Sequence, residues 1–290
     1  MTLNPSSDPL TFKTLQREQW DQAAAGWDAH GAVIGNWLKP ATDAMLEIVQ
    51  LRPGARVLDV AAGAGEQTLA IAQRVGPGGL VLATDLSPAI LERARTNAQR
   101  AGLTQVRTHV ADGEDLRVEP GAFDAALCRL GLMFFPDPLR GLQQMHRALR
   151  AGGRVCTLVF SRPERNPCLG ILMSTALEHA GLPPRDPYAP GSLMCLGRPG
   201  AIEAMFRDAG FVQVATTAID APFRLPTAHD YVEFVRSAAT PVQAILARLH
   251  PAAAAAAWAD IEARLARFSD RDGWAGPNEL LLTVGRKATD

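Results

Sequence analysis

The sequence predicts an α/β fold, a mostly parallel, doubly wound sheet covered by helices, and three observations predict it. Short apolar runs rich in β-branched residues recur at 56–60, 80–83 and 106–110, and helical patterns follow the first two. The first run, Arg56, Val57, Leu58, Asp59, Val60, reads as a strand buried on both faces, and strands alternating with helices build parallel sheets. The three runs lead into small or acidic residues: Ala61 to Gly65, Thr84-Asp85, and Ala111-Asp112-Gly113. In an open α/β sheet these ends share one edge, where ligands bind.

The chemistry of that edge is specific. After Val60 the small residues make a tight turn, and 66–74, with Gln67, Leu69, Ile71 and Ala72, reads as an amphipathic helix. Backbone N–H groups converge at such a turn and the helix dipole favours negative charge, so an acid group suits the stretch from Gly63 to Gln67. Gly63 and Gly65 allow close approach and positive φ. Asp85 follows about 20 residues later, where a carboxylate accepts from both hydroxyls of a ribose. Leu86 then covers one face of a base, while Asp112 and the Gly113 N–H meet its edge. Each feature alone has a plainer reading: a structural turn, a capping acid, an Asp-Gly turn. Ser87-Pro88 is the better N-cap and N1 pair of the next helix. Spaced along three strands, the features point to a ligand with an acid end, a ribose and a base.

Read together, VLDVAAGAG (57–65), ATDLSPAIL (83–91), VADGEDL (110–116), FDAALCRLGLMFFPD (123–137) and RALRAGGRVCTLVF (147–160) resemble a class I S-adenosylmethionine (SAM) dependent methyltransferase. Within that superfamily the chain is most similar to the ubiquinone/menaquinone-biosynthesis type and its small-molecule relatives. The resemblance runs from about Leu51 to Phe160. It implies a Rossmann-like sheet of seven strands with the last antiparallel, SAM as cofactor, and methyl transfer to a small metabolite. It also implies that the Arg129 backbone lies beside the cofactor, and that Asp59 orients the loop or meets the cofactor's amino group. One departure stands out: Ala61 occupies the place of the usual first glycine. The expected cofactor-binding set is Asp59, Ala61, Gly63, Gly65, Gln67, Asp85, Leu86, Asp112, Gly113 and Arg129.

Punctuation divides the chain. Residues 1–51 carry N-terminal helices (12–29 and about 42–51) expected to cover the active site, and 52–160 form the SAM-binding core. A Pro/Gly-rich segment with a short helix at 169–180 occupies 161–199 and is expected on the substrate side. A core helix and sixth strand fill 200–220. Residues 221–278, with helices at 231–238, 242–249 and 252–268, read as a helical lid insertion. The last strand lies in 279–290. In the alanine run 252–257 the residues are the best helix formers, and Trp258, Ile261 and Leu265 continue an apolar face.

The insertions and the N-terminal helix are the expected pocket walls, since such additions at strand ends set substrate choice. Trp20, Trp27, Met133, Phe134 and Tyr231 are the expected lining, with Phe135, Tyr188, Met194 and Phe234 as further candidates, and together they suggest an apolar or aromatic substrate. Methylation at oxygen or carbon is favoured over nitrogen or sulfur. No catalytic residue is assigned; His30 is the first base to test. The alternatives are a nicotinamide-dependent oxidoreductase and a catalytically silent SAM-binding protein. Against the former, the third fingerprint glycine is missing around Thr68.

A net charge of −1 draws the chain to no nucleic acid, and the Asn/Asp-Pro-Pro-aromatic motif of base methyltransferases is replaced by Cys128-Arg129-Leu130-Gly131. The four cysteines lack metal-ligand spacing, so no metal is expected. The polar start, Met1 to Pro9, carries no apolar signal core, and no stretch is apolar enough to span a membrane. A cytoplasmic enzyme acting as a monomer or homodimer is the expectation.

Overall fold

In the computed structural model, which describes residues 8–238 and 240–289, two helices precede the sheet. They are α1 (Pro9–Ala29) and α2 (Gly31–Ile48). The polar start read from Met1 to Pro9 lies mostly outside the described residues. A run of β–α units follows: β1 (Arg56–Val60), α3 (Glu66–Val75), β2 (Leu80–Asp85), α4 (Pro88–Arg100), β3 (Val106–Val110), β4 (Phe123–Arg129), α5 (Pro138–Ala148) and β5 (Leu149–Phe160). Next come α6 (Pro167–His179), α7 (Ala201–Asp208) and β6 (Phe211–Asp220). The chain ends through β7 (Phe223–Leu225), α8 (Ala228–Ala238), α9 (Thr240–Leu246), α10 (Pro251–Leu265), β8 (Ser269–Asp270), β9 (Gly273–Gly276) and β10 (Glu279–Lys287).

The main sheet has the order β3-β2-β1-β4-β5-β10-β6. Strands β1 to β5 pair in parallel, and β10 runs antiparallel to both β5 and β6. Sequence direction reverses between β1 and β4, which makes their carboxyl ends the topological switch point where ligands bind. The central strands explain their composition. In β1 every residue after Arg56 is buried, whereas the edge strand β3 exposes Arg107 and His109. Leu58, Ile71 and Leu127 are fully buried, and each such side chain stabilises the fold by about 1.5–3 kcal/mol. Local signals hold as well. Ser87 caps α4, its Oγ accepting from the Ile90 N–H at 3.1 Å, with Pro88 at the first helical position. The main sheet is thus the seven-stranded Rossmann-like arrangement with its last strand antiparallel.

Two expectations need correction. α2 begins at Gly31, about three turns before the predicted start at Thr42, and carries Pro40 inside it. Ile34, Leu38, Ala41 and Met45 form one buried stripe there, and their burial outweighs two glycines and a proline. The stretch 221–278 is not purely helical: β7, β9 and β8 form a small antiparallel sheet. Its strands are two to four residues long, too short to show a period of two. Trp274 closes it, fully buried, its indole N–H donating to the Leu265 carbonyl at 2.8 Å.

Candidate functional site: a cavity above the strand ends

Three residues of the turn after β1 adopt left-handed backbone: Ala61 (φ 55°), Gly63 (φ 58°) and Gly65 (φ 89°). For Ala61 this costs roughly 1–2 kcal/mol. The turn is over-determined by its neighbours. The Ala62 N–H donates to the Thr84 carbonyl at 3.0 Å, and the Gly63 N–H to Asp85 Oδ2 at 3.0 Å. Ala61 and Gly63 line a cavity; Gly65 does not. A Cβ on Gly65 would sit 2.8 Å from the Ala94 Cβ, so this glycine lets α3 begin against α4 and has no direct part in the cavity.

Asp59 is also walled off. It is fully buried, and its carboxylate accepts from Gln67 Nε2 and from Thr68 Oγ1, both at 2.6 Å. Burial pushes its carboxyl up to about 6, although both hydrogen bonds oppose the rise. Asp59 therefore fastens the start of α3 to β1, and Gln67 stands between it and the cavity. Gln67 is buried, and its Oε1 has no hydrogen-bond partner among the described residues.

Asp85 and Leu86 line the cavity from the end of β2. Asp85 Oδ1 accepts from the Ser87 N–H at 3.0 Å, and Oδ2 from Gly63, which leaves lone pairs on both oxygens for a diol. Burial pushes this carboxyl up to about 6 against those backbone donors. Asp112 and Gly113 line the cavity beyond β3. Asp112 Oδ1 accepts from the Glu114 N–H at 2.9 Å, and Oδ2 pairs with Lys13 Nζ at 2.6 Å. Lys13, from α1, also reaches Glu114 Oε2 at 2.6 Å. Gly113 leaves room for Phe135, whose ring carbon would lie 2.1 Å from a Cβ there.

The Arg129 side chain, and not only its backbone, belongs to the site. It lines the cavity at the end of β4, its Nη1 donates to Thr42 Oγ1 at 2.7 Å, and it forms an ion pair with Glu66. Sequence reasoning missed this guanidinium, Lys13 and Glu114, because Thr42 and Lys13 approach from helices 87 and 99 residues away in sequence.

Beyond the turn the cavity becomes aromatic. Trp20, Trp27, Phe134 and Tyr231 all line it, as expected. Trp20 meets Trp27 edge to face at 5.6 Å and Phe134 at 5.4 Å. Trp37 and Phe223, 4.7 Å apart, and Phe160 add to the wall. Tyr231 stacks on Trp274 at 4.5 Å, and burial pushes its phenol up. Met133 departs from expectation: it is buried in the core and does not line the cavity, nor do Tyr188 and Met194. His30 departs too. It caps α1, its Nδ1 2.8 Å from the Gly26 carbonyl, and packs edge-on against Phe234. Among the described residues none of the six histidines lines the cavity.

The donor and acceptor set fits SAM on this chain's own observations. Free carboxylate lone pairs face the cavity at Asp85, and an orphaned acceptor at Gln67 awaits a donor. An apolar chamber continues past the turn.

The ubiE/COQ5 methyltransferase family matches residues 34–174. Nocamycin O-methyltransferase of Saccharothrix syringae is 31% identical over 221 residues, covering 73% of this chain and 78% of that protein. A demethylmenaquinone methyltransferase of Thermus thermophilus is 33% identical over 189 residues, covering 60% and 80%. Among solved structures, the YcgJ protein of Bacillus subtilis superposes with a TM-score of 0.59 at 19% identity, covering 87% of this chain and 100% of that one. The [4+2]-cyclase SpnF superposes at 0.57 and 20% identity, covering 93% and 97%. These structural likenesses show the fold, and the cyclase illustrates that fold and chemistry are separable. On the sequence relationship and the fold together, the chain belongs to the class I SAM-dependent methyltransferases, on the ubiE/COQ5 side of that superfamily, with SAM as its cofactor.

Proposed function

We propose that this methyltransferase acts on a small, largely apolar aromatic metabolite, at oxygen or carbon in preference to nitrogen or sulfur. The observation that carries this reading is the makeup of the far half of the cavity. Trp37, Phe160, Phe223, Tyr231 and Phe234 face it, backed by Leu169, Leu172, Met173, Pro241 and Val242. The carboxylates that line the cavity, Asp85, Asp112 and Glu114, all stand at the other end. An apolar pocket with a few placed polar groups is what recognises such a ligand. The names of the relatives, one an O-methyltransferase and another a demethylmenaquinone methyltransferase, agree with an oxygen or ring-carbon acceptor.

When bound, SAM supplies an activated methyl group on a sulfonium. The chain's own work is then positioning and water exclusion. In this reading Asp85 accepts from the ribose hydroxyls, Leu86 covers the adenine, and Asp112 with Gly113 meets its edge. α1 and α2, the segment after β5, and α8 and α9 form the cover and the substrate walls. Tyr231 is the titratable side chain that the described residues bring to the acceptor half, and burial pushes its phenol up, so it stands there as a neutral hydroxyl. His30 plays no part in proton transfer. The near-zero net charge supports a reading without nucleic acid, and no helix among the described residues is long and apolar enough to cross a membrane. A cytoplasmic monomer or homodimer completes the proposal.

The test is turnover with labelled SAM on matched acceptors: hydrophobic phenols, quinols and 1,3-dicarbonyls against polar amines, nucleosides and peptides. Methylation confined to the apolar set is expected. Transfer to the polar set alone would sink the proposal.

A further inference from the structure

The buried network under the glycine turn carries an inference that rests on the cofactor assignment and goes beyond it. Asp59 is fully buried, and an ionised carboxylate only accepts hydrogen bonds. It therefore holds Gln67 by the amide nitrogen, at 2.6 Å, and that contact fixes which way round the amide stands. Gln67 Oε1 is left pointing away from Asp59 in a residue only 2% exposed that lines the cavity, and it accepts from nothing. A buried carbonyl oxygen without a donor costs about 1–3 kcal/mol, so its occupant is a donor. Beside it stands the opposite chemistry. Thr42 and Glu66 both sit on Nη1 of Arg129, while its Nε and Nη2 donate to no side chain or backbone group among the described residues. One free acceptor and a set of free cationic donors thus adjoin the same turn.

We propose that Gln67 and Arg129 jointly read the zwitterionic amino-acid end of the cofactor. Gln67 Oε1 accepts from the ammonium, and Arg129 donates to the carboxylate. Asp59 is a positioning residue: it never meets the ligand, but it dictates that Gln67 presents oxygen and not nitrogen. The carboxylate is thereby assigned to the side chain of a residue for which the sequence implies only a backbone beside the cofactor, and the ammonium to a neutral amide. No proton is transferred and no bond is formed or broken in this recognition.

Binding by calorimetry tests it without turnover. The probes are S-adenosylhomocysteine, its deaminated analogue (carboxylate kept, ammonium absent) and its decarboxylated analogue (ammonium kept). Gln67→Leu is expected to weaken S-adenosylhomocysteine about 10- to 100-fold, the range for a hydrogen bond to a charged group, and to leave the deaminated analogue within about twofold. Arg129→Gln is expected to weaken the deaminated analogue similarly and spare the decarboxylated one. Asp59→Leu tests the positioning, because Asp59→Asn could keep Oδ1 toward Gln67 and turn its Nδ2 to the Thr68 hydroxyl. With the acceptor gone, nothing holds the Gln67 amide nitrogen beneath the turn, and Oε1 is no longer fixed toward the cavity. S-adenosylhomocysteine is then expected to weaken in the direction of Gln67→Leu while the deaminated analogue does not, although Asp59 touches neither. Equal losses on all three ligands in Gln67→Leu would overturn the proposal and reduce Gln67 to a packing residue. Thermal unfolding of each variant shows that the fold persists. Should Asp59→Leu fail to fold, Gln67→Met repeats the comparison with the amide replaced at near-equal volume, and unchanged selectivity there would equally overturn it.

Discussion

The two halves of the cavity are built on different principles. At the sheet tips, polar groups are held by a strained, hydrogen-bonded backbone: Ala61 with positive φ, Gly63 tied to Asp85, Asp112 locked between Lys13 and Glu114. Past the turn, large rings from distant segments lean on one another, as Trp37 does on Phe223 and Tyr231 on Trp274. The first half constrains hydrogen-bond geometry, so a single atom matters there. The second constrains volume and dryness, and tolerates exchange of one hydrophobic side chain for another.

The comparison breaks most visibly at Gly65. Gly65→Val would set a branched side chain against the Ala94 backbone with φ at 89°, and should cost about 2–5 kcal/mol, overpacking added to left-handed strain. Urea unfolding reads this directly; a loss of cofactor affinity at unchanged stability would show that Gly65 serves the ligand instead.

Asp85→Ala comes next. Removing an acceptor from the diol should weaken S-adenosylhomocysteine by about 1.5–3 kcal/mol, with a smaller loss of stability because the Gly63 and Ser87 amides lose their partner. The same carboxyl predicts a pH effect. With burial holding its pKa at about 6 before the ligand binds, affinity should fall as pH drops through 6, and Asp85→Asn should flatten that dependence. In the ligand-free protein the sign reverses. A carboxyl whose pKa is raised from 3.8 contributes stability below about pH 4 that is lost as pH rises through 6, a trend that Asp59 shares. Thermal scans between pH 4 and 7 follow it.

On the aromatic side, Met173→Glu should raise the acceptor KM about tenfold or more, since an unpaired charge is costly in an apolar wall, and leave S-adenosylhomocysteine binding within twofold. Loss of cofactor affinity would mean that the halves are not separable. The smallest effect belongs to His30→Ala: turnover within twofold, and about 0.5–1.5 kcal/mol of stability lost with its contact to the Gly26 carbonyl. A hundredfold fall in turnover with a changed pH profile would return His30 to the chemistry.

Much of the architecture was legible because its signals are local. Asp85 at the tip of β2, Ser87 as the cap of α4 and the glycine turn after β1 each follow from neighbours a few residues away. The misses share the opposite property. Met133 sits one residue from Phe134, yet one side chain enters the core and the other the cavity. His30 beside Trp27 looked poised for chemistry, but the crossing of α1 over α8 turns it to a cap; a Cβ on Gly26 would lie 2.3 Å from the Ser237 carbonyl oxygen. The small sheet of β7, β8 and β9 was hidden by strands too short to show a pattern.

What the sequence determined by itself is the order of strands and helices in the main sheet, the left-handed turn and the acids at the strand ends, because backbone preference and periodic burial act over a few residues. Only the tertiary structure decided that Lys13 seals Asp112, that Arg129 and Gln67 present complementary polar atoms, and that rings from α2, β7 and α8 meet in one chamber. Those contacts join residues tens to hundreds of positions apart, and the packing that brings them together leaves no local trace.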